Sequence, residues 1–320
     1  MKADGNVYVH TIFMVIILAY VDDLMVFGML EHIKQIEEQL KYIFLIKVAG
    51  NLNEQGSLVR FLGRTLQRIQ NGIFMFEEEE YYLDILKEHN MEKCKEANTP
   101  SPQGQAANPS GENLVDDQLH SLYRRTVGKL QWEVPVRPDF AFCLKELARK
   151  LNEPTENDFK SLKHLLRYVK GTLHYKLLLQ PDVTLNPNTK NSFNLKVFVD
   201  ANWAGCALTR KSSNGLHLEF LGTPIHFIAK TQSVRALSSA ESELYGIGSG
   251  VAEALHVRSF LMESGIASSC SIEVLTDSTA AKSIAMSYGA TRKTRHIERR
   301  YLYMQDLVAS GMIRMRKVAG

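Results

Sequence analysis

This sequence predicts a protein of mixed α/β and α+β architecture, and three observations predict it. Towards the C-terminus, strand-type and helix-type segments alternate as in a sheet covered by helices. Two stretches rich in Pro, Gly, Asn and Ser, residues 98–113 and 180–194, lack apolar periodicity and set off a helical middle piece. The N-terminal piece opens on paired apolar runs of strand type.

In "LAYVDDLMVFG" (residues 18–28) two apolar runs flank Tyr20 to Asp23, the pattern of a hairpin. In "MLEHIKQIEEQLKYIF" Leu30, Ile33, Ile36, Leu40 and Ile43 recur at helical spacing. "SLVRFLGRTLQR" and "GIFMFEEEE" read as two strands around Asn71-Gly72, a favoured hairpin turn. The acids at 77–80 fit the opening of the helix that continues "YYLDILKEH", where they favour its dipole; a ligand cluster is the sharper alternative.

In the middle piece, "LHSLYRRTVGKLQW", "PDFAFCLKELARKL" and "ENDFKSLKHLLRYVKGT" each carry an apolar stripe. Pro138 and Pro154 stand near helix starts and Gly171 near a helix end. On the last helix Lys163, His164, Arg167 and Lys170 suit either phosphate contacts or a solvated face. In the third piece "NLKVFVDANWAG", "GLHLEFL" and "PIHFIAK" read as strands, followed by a long helix from "SSAESELYG". The strand "SIEVLTD", the short helix "STAAKSIAM", the helix "TRHIERRYLYMQDLVASG" and the strand "MIRMRKV" complete the alternation.

At 320 residues the chain is long enough for about two domains of ~150 residues. Hydrophobic residues at 45% and charged residues at 23% are globular values and argue against a disordered or fibrous class. The run "TIFMVIILAYV" (residues 11–21) is shorter than the ~20 residues of a membrane helix and is followed at once by two acids, so it predicts a buried strand. "MKADGNVYVH" offers no convincing basic leader, and no secretion is expected. The four cysteines lie far apart without zinc spacing and read as reduced thiols of a cytosolic protein. Net charge is only +3, but residues 120–176 and 291–320 each carry an excess of six basic groups. Such clusters can follow a phosphate backbone, although a solvated helix face explains most single cases.

Asp200 ends the first strand of the third piece, Asp277 ends its fourth, and Glu241 and Glu243 lie in its first helix. Carboxylates at strand ends near a crossover commonly form a site, and hard oxygen ligands suit Mg²⁺. Phosphoryl-transfer chemistry needs such a cluster. Each acid taken alone reads as a turn or cap residue.

"VFVDANWAG", "RKSSNG", "KTQSVRALSSAESELYG", "LTDSTAAKSIA" and "TRKTRHIERRYLY", in this order, resemble the type I RNase H domain of copia-type LTR-retrotransposon Pol polyproteins. "YRRTVGKLQW", "RPDFAF" and "LKHLLRYVKGT" resemble that family's connection region. "AYVDDLMVFG" and "FLGRTLQR" resemble the later palm and primer-grip parts of its reverse transcriptase. The motifs are individually modest and jointly specific, and they run from about Tyr20 to the C-terminus.

The resemblance implies a truncated reverse-transcriptase palm and thumb over residues 1–97, a linker over 98–115 and a helical connection over 116–180. A second linker, 181–194, then leads to an RNase H-like mixed sheet with flanking helices over 195–320. It makes Asp200, Glu243 and Asp277 the RNase H metal ligands for Mg²⁺ or Mn²⁺. Glu243 fits the pattern of Glu followed by Leu, any residue and a small residue better than Glu241 does. It makes Asp22 and Asp23 polymerase carboxylates of an incomplete site. Arg292, Lys293, Arg295, His296, Arg299 and Arg300 are implied to lie along the nucleic acid, a helix-surface role being the plain alternative for His296.

By the same comparison an upstream palm aspartate, the fingers and a final RNase H helix with a fourth carboxylate are expected to be missing. The chain would then be part of an enzyme that copies RNA into DNA and hydrolyses RNA in RNA/DNA hybrids, with polymerase activity not expected of it alone. An inactive nucleic-acid-binding remnant of the same lineage is the alternative. The implied partners are an RNA/DNA hybrid, an RNA template with DNA primer, and the missing Pol segments or another Pol chain, with no membrane. The implied location is a cytoplasmic particle or the nucleus. Asn202 and Glu298 stand where the family usually has aspartate.

Overall fold

The computed structural model describes residues 1–102, 113–182, 191–206, 209–287, 289 and 299–319. Strands β1 (Val7–His10), β2 (Val15–Tyr20) and β3 (Asp23–Phe27) form an antiparallel sheet in chain order. Tyr20 pairs with Asp23, so Val21 and Asp22 make the turn, with Val21 at a left-handed φ of 55°. The apolar run that predicted a buried strand is only partly buried: along these three strands Val7 and Val15 alone are fully covered. Helix α1 (Leu30–Ile43) likewise buries only Ile36.

A second sheet comprises β4 (Leu58–Phe61), β5 (Arg64–Ile69) and β6 (Gly72–Phe76). "SLVRFLGRTLQR", expected as one strand, is two. Leu62 and Gly63 both take positive φ, 48° and 72°, the conformation of a tight primed turn that reverses the chain. The next turn centres on Gln70 and Asn71, since Gly72 already pairs with Ile69.

Helices α2 (Glu79–Glu88), α3 (Asp117–Glu133), α4 (Ala141–Ala148) and α5 (Glu156–Gly171) share one core, with Ile85, Leu86, Tyr123, Leu130, Phe140, Leu144, Leu162 and Leu166 buried together. Each such side chain contributes about 1.5–3 kcal/mol on leaving water. Asp116 caps α3 by accepting from the Leu119 N–H. Thr155 and Asp158 form a reciprocal capping box at the start of α5, just after Pro154.

Two expectations change here. Glu79 and Glu80 occupy the first turn of α2 as expected, but Glu77 does not serve the helix dipole; it is buried and faces Arg64 at 3.7 Å. Fully buried Glu133 accepts from Arg64 Nη1 at 2.7 Å and from the Tyr82 hydroxyl at 2.7 Å, so one guanidinium serves two buried carboxylates. Of the four basic groups expected on α5 to meet phosphate or water, Lys163 stays exposed, its ammonium 5.3 Å from the Phe159 ring, and the other three are tied to backbone carbonyls. Arg167 donates to the carbonyl oxygens of Lys95 and Glu96, Lys170 to that of Cys94, and His164 Nε2 to that of Thr99. They hold residues 94–99 against the helix. Strand β7 (Leu177–Leu179) then returns to pair with β6, completing the order β4-β5-β6-β7.

The third sheet holds β8 (Ser192–Asn202), β9 (Ser213–Phe220) and β10 (Thr223–Thr231) as antiparallel neighbours. Helix α6 (Ser239–Glu263) leads to β11 (Ser269–Thr276), α7 (Thr279–Met286), α8 (Arg299–Ala309) and β12 (Ile313–Lys317). The order is β10-β9-β8-β11-β12, with β11 parallel to both β8 and β12. Leu244, Ile247, Val251 and Ala254 of α6 join Leu195, Val197, Leu218, Ile272 and Val274 in its core. Close approach of α6 depends on glycine: a Cβ at Gly246 would meet Val199 Cγ1 at 2.9 Å, and one at Gly250 would meet Val197 Cγ1 at 2.8 Å. The mixed α/β and α+β class therefore holds, and no described helix is long and apolar enough to cross a membrane.

Candidate metal centre

Strand register puts two acids side by side. Phe198 of β8 pairs with Leu275 of parallel β11, so Asp200 and Asp277, each two residues further on, emerge at the same end of adjacent strands. The third acid comes from the first turns of α6, whose start is fixed by the Ser238 side chain accepting from the Glu241 N–H. With Gly246 and Gly250 letting this helix lie on β8, Glu243 reaches the strand ends, and its Oε1 accepts from the Ala201 N–H at 3.2 Å.

One carboxylate oxygen each from Asp200, Glu243 and Asp277 lies within 4.8 Å of the others, the single group of three such residues among the described residues. Asp200 and Asp277 are exposed and Glu243 is buried. Burial, with the charges of Asp200 and Asp277 adding to it, pushes the Glu243 carboxyl up to about 7 against the opposing pull of the Ala201 N–H. Its other oxygen, Oε2, is buried with no hydrogen-bond partner. An orphaned buried carboxylate oxygen beside two more carboxylates is the donor set of a hard divalent cation, so the residues fit Mg²⁺ or Mn²⁺.

Glu241 has a different fate. Its Oε2 accepts from the Leu237 N–H at 2.8 Å and its Oε1 from the Tyr245 hydroxyl, so it belongs to the start of the helix rather than to the cluster. Asp22 lies in the β2–β3 turn and Asp23 opens β3; both are exposed, and no third described carboxylate joins them. Arg292, Lys293, Arg295 and His296, like Glu298, lie outside the described residues, while Arg299 and Arg300 are the first two residues of α8.

Groups that sequence reasoning passed over surround the cluster. Gln232 is buried and donates through Nε2 to Asn214 Oδ1 at 2.6 Å and to the Ser242 carbonyl at 2.8 Å, tying β9 to the first turn of α6. From the helical region Lys145 donates to Ser213 Oγ, opposite Asn202, and Arg149 to Cys206 Sγ, both at 2.6 Å. Burial alone would raise the Cys206 thiol, but hydrogen bonds from Thr209 and Arg149 outweigh it and draw it down to about 7. No sequence signal announced these contacts, because a buried glutamine or serine has no periodicity of its own and the partners lie far apart along the chain.

No family model matches the chain. It is 32% identical over 238 residues to an uncharacterised mitochondrial protein of Arabidopsis thaliana, AtMg00810, covering 74% of this chain and 92% of that protein. It is 29% identical over 310 residues to the retrovirus-related Pol polyprotein from transposon RE1 of Arabidopsis thaliana, covering 95% of this chain and 20% of the polyprotein. The chain thus spans about a fifth of that polyprotein's length. Among solved structures, an RNase H1 from the halophilic archaeon Halobacterium salinarum NRC-1 aligns with 39% of this chain and 86% of its own at 12% identity and a TM-score of 0.30. Identity of 25–32% over 74–95% of the chain means that this chain belongs to the family of retrovirus-related Pol polyproteins of copia-type transposons.

Proposed function

We propose that this chain is the part of a copia-type Pol polyprotein that ends its reverse transcriptase and carries its RNase H, and that Asp200, Glu243 and Asp277 serve hydrolysis of RNA in RNA/DNA hybrids. One observation carries the reading: three carboxylates from three separate elements converge within 4.8 Å, one of them with a buried, unpartnered oxygen. When bound there, Mg²⁺ or Mn²⁺ supplies water activation and stabilisation of the leaving oxygen of an in-line displacement.

The chain's own residues do the rest. Exposed Asp200 and Asp277 face the solvent from which substrate arrives, whereas Glu243 is held from behind by the Ala201 N–H, which fixes one oxygen and leaves Oε2 for the cation. Gln232 keeps the first turn of α6 registered on β9, and so keeps Glu243 in reach. Arg292, Lys293, Arg295, His296, Arg299 and Arg300 are proposed to follow the phosphates of the hybrid, whose recognition rests on shape and backbone contacts. In the same reading residues 1–97 belong to palm and thumb, 116–180 to the connection and 195–320 to RNase H, acting in a cytoplasmic particle or the nucleus. Asp22 and Asp23 mark the polymerase lineage and are assigned no reaction here.

Cleavage of a labelled RNA/DNA hybrid by the purified chain in Mg²⁺ or Mn²⁺ tests the reading. Metal-dependent cleavage that disappears in Asp277→Asn is expected. Salt-sensitive hybrid binding without cleavage would overturn it in favour of a binding remnant.

A further inference from the structure

A large aromatic side chain lies open at the rim of the carboxylate cluster. Trp203 stands three residues beyond Asp200, where the chain leaves β8, and is 47% exposed. It is held in place: the indole Nε1 donates to the Ala236 carbonyl at 3.1 Å, tying this turn to the segment that enters α6. Leu237, the next residue, is 72% exposed. An indole whose only polar atom is satisfied internally offers the outside an apolar face. Trp203 and Leu237 are therefore displayed between the elements that deliver Asp200 and Glu243.

The charges on this rim are complementary to an anion. Lys230, at the end of β10 in the cross-strand row of Asn214 and Ala201, is exposed, and so is Arg235, beside Ala236. Aromatic surface interleaved with cations is the footprint of a nucleic-acid contact. A paired strand does not offer its base faces, because the bases stack on one another. It offers sugars, and an A-like duplex presents them in a wide, shallow minor groove lined with 2′-hydroxyls, whereas the B-DNA minor groove is narrower.

We infer that Trp203, with Leu237 beside it, is a specificity-determining contact of the metal centre. The indole face packs against riboses of the RNA strand next to the phosphate that the carboxylates address, and Lys230 and Arg235 hold neighbouring phosphates. This inference rests on the hydrolytic reading above and goes beyond it by naming what tells a hybrid from duplex DNA.

The test is binding of a labelled RNA/DNA hybrid, and of a DNA duplex of the same sequence, to the full chain in Mg²⁺. The Asp277→Asn background keeps the hybrid intact. Trp203→Ala is expected to raise the hybrid Kd about tenfold, equivalent to about 1.4 kcal/mol, and the duplex Kd less than about twofold. Trp203→Phe keeps an aromatic face but lacks the N–H, and is expected to lose about threefold or less. Leu237→Ser, at a side chain that is 72% exposed, is expected to lose about two- to threefold.

Equal losses for hybrid and duplex, or equal losses in the Phe and Ala variants, would overturn the inference and leave Trp203 a brace for the turn. Failure of the two readings is distinguishable. A wild-type chain that never cleaves, with hybrid binding still falling selectively in Trp203→Ala, defeats hydrolysis alone. A chain that cleaves with hybrid binding indifferent to Trp203 defeats this inference alone.

Discussion

Two turns in this molecule carry acids, the β2–β3 tip with Asp22 and Asp23 and the paired ends of β8 and β11 with Asp200 and Asp277, and they behave differently. In the hairpin the acids are consecutive, one in the turn and one on an edge strand, and neighbouring residues of a strand face opposite ways. At the other end of the chain, parallel register sets equivalent positions of two strands side by side, and a helix adds a third acid from a different direction. The carboxylate cluster is thus a property of convergence between elements. The hairpin sheet buries two strand side chains, whereas the five-stranded sheet is backed by a continuous core.

Breaking this contrast at its sharpest point gives the largest effect. Asp277→Asn removes a carboxylate from the cluster and is expected to lower RNA cleavage by about 10²–10³-fold, the range for a single group that stabilises developing charge. Asp22→Asn with Asp23→Asn is expected to leave the rate within about twofold, as neither acid is a member of the carboxylate cluster. A comparable loss in both would mean that the two turns share one site.

Acid separates the regions next. His89 is buried in the helical core with Nε2 bonded to Thr126 Oγ1, and burial, helped by Lys163, Arg125 and Lys129, draws its pKa down from 6.5 to about 4. Between these values the unfolded chain binds the proton and the folded chain does not. The contribution is therefore whole above about pH 6.5 and is lost as pH falls towards 4, up to about 3 kcal/mol. His89→Gln is expected to flatten the urea midpoint over this window relative to wild type. Parallel curves for the two proteins would place the acid sensitivity elsewhere.

The helix–sheet fit comes third. In Gly250→Ala the new methyl meets Val197 at 2.8 Å and Val199 at 2.9 Å, and overpacking of this kind costs about 1–3 kcal/mol. Lifting α6 from β8 also draws Glu243 away from the strand ends, so the Mg²⁺ needed for half-maximal cleavage is expected to rise. Gly5→Ala, with nothing within 4 Å, is the N-terminal counterpart and is expected to stay within about 0.5 kcal/mol. A Gly250 variant as stable as wild type, with unchanged metal dependence, would show that the helix has slack.

Most of the fold was legible because it follows from periodicity. The helices and most strands were anticipated from segment patterning, and the order of segments in the third piece matched the sheet that formed, but β1 was not anticipated. What failed was the part set by backbone conformation or tertiary pairing. The break at Leu62-Gly63 depends on two left-handed residues, one of them a leucine, which no turn rule favours. β7 exists only because β6 is there to pair with it. Buried Glu77 and Glu133 and three of the α5 cations look like surface charges until their partners, on other elements, are known. Within the cluster, strand ends gave the aspartates away, but choosing Glu243 over Glu241 needed either the family pattern or the geometry that shows Glu241 already engaged.

The smallest effect sharpens the contrast from the hairpin's side. Val21 is a β-branched residue at φ 55°, a conformation that costs an L-residue roughly 1–2 kcal/mol. Glycine removes that strain but adds freedom to the unfolded chain, roughly 0.5–1 kcal/mol, so Val21→Gly is expected to gain less than about 1 kcal/mol. In a sheet so little buried, that gain stays local. Hydrogen exchange of the β2 and β3 amides is expected to slow by up to about fivefold, while amides of β8 and β11 and the rate of RNA cleavage do not change. Slower exchange in β8 or β11 would instead reveal that the two acid-bearing regions unfold as one unit.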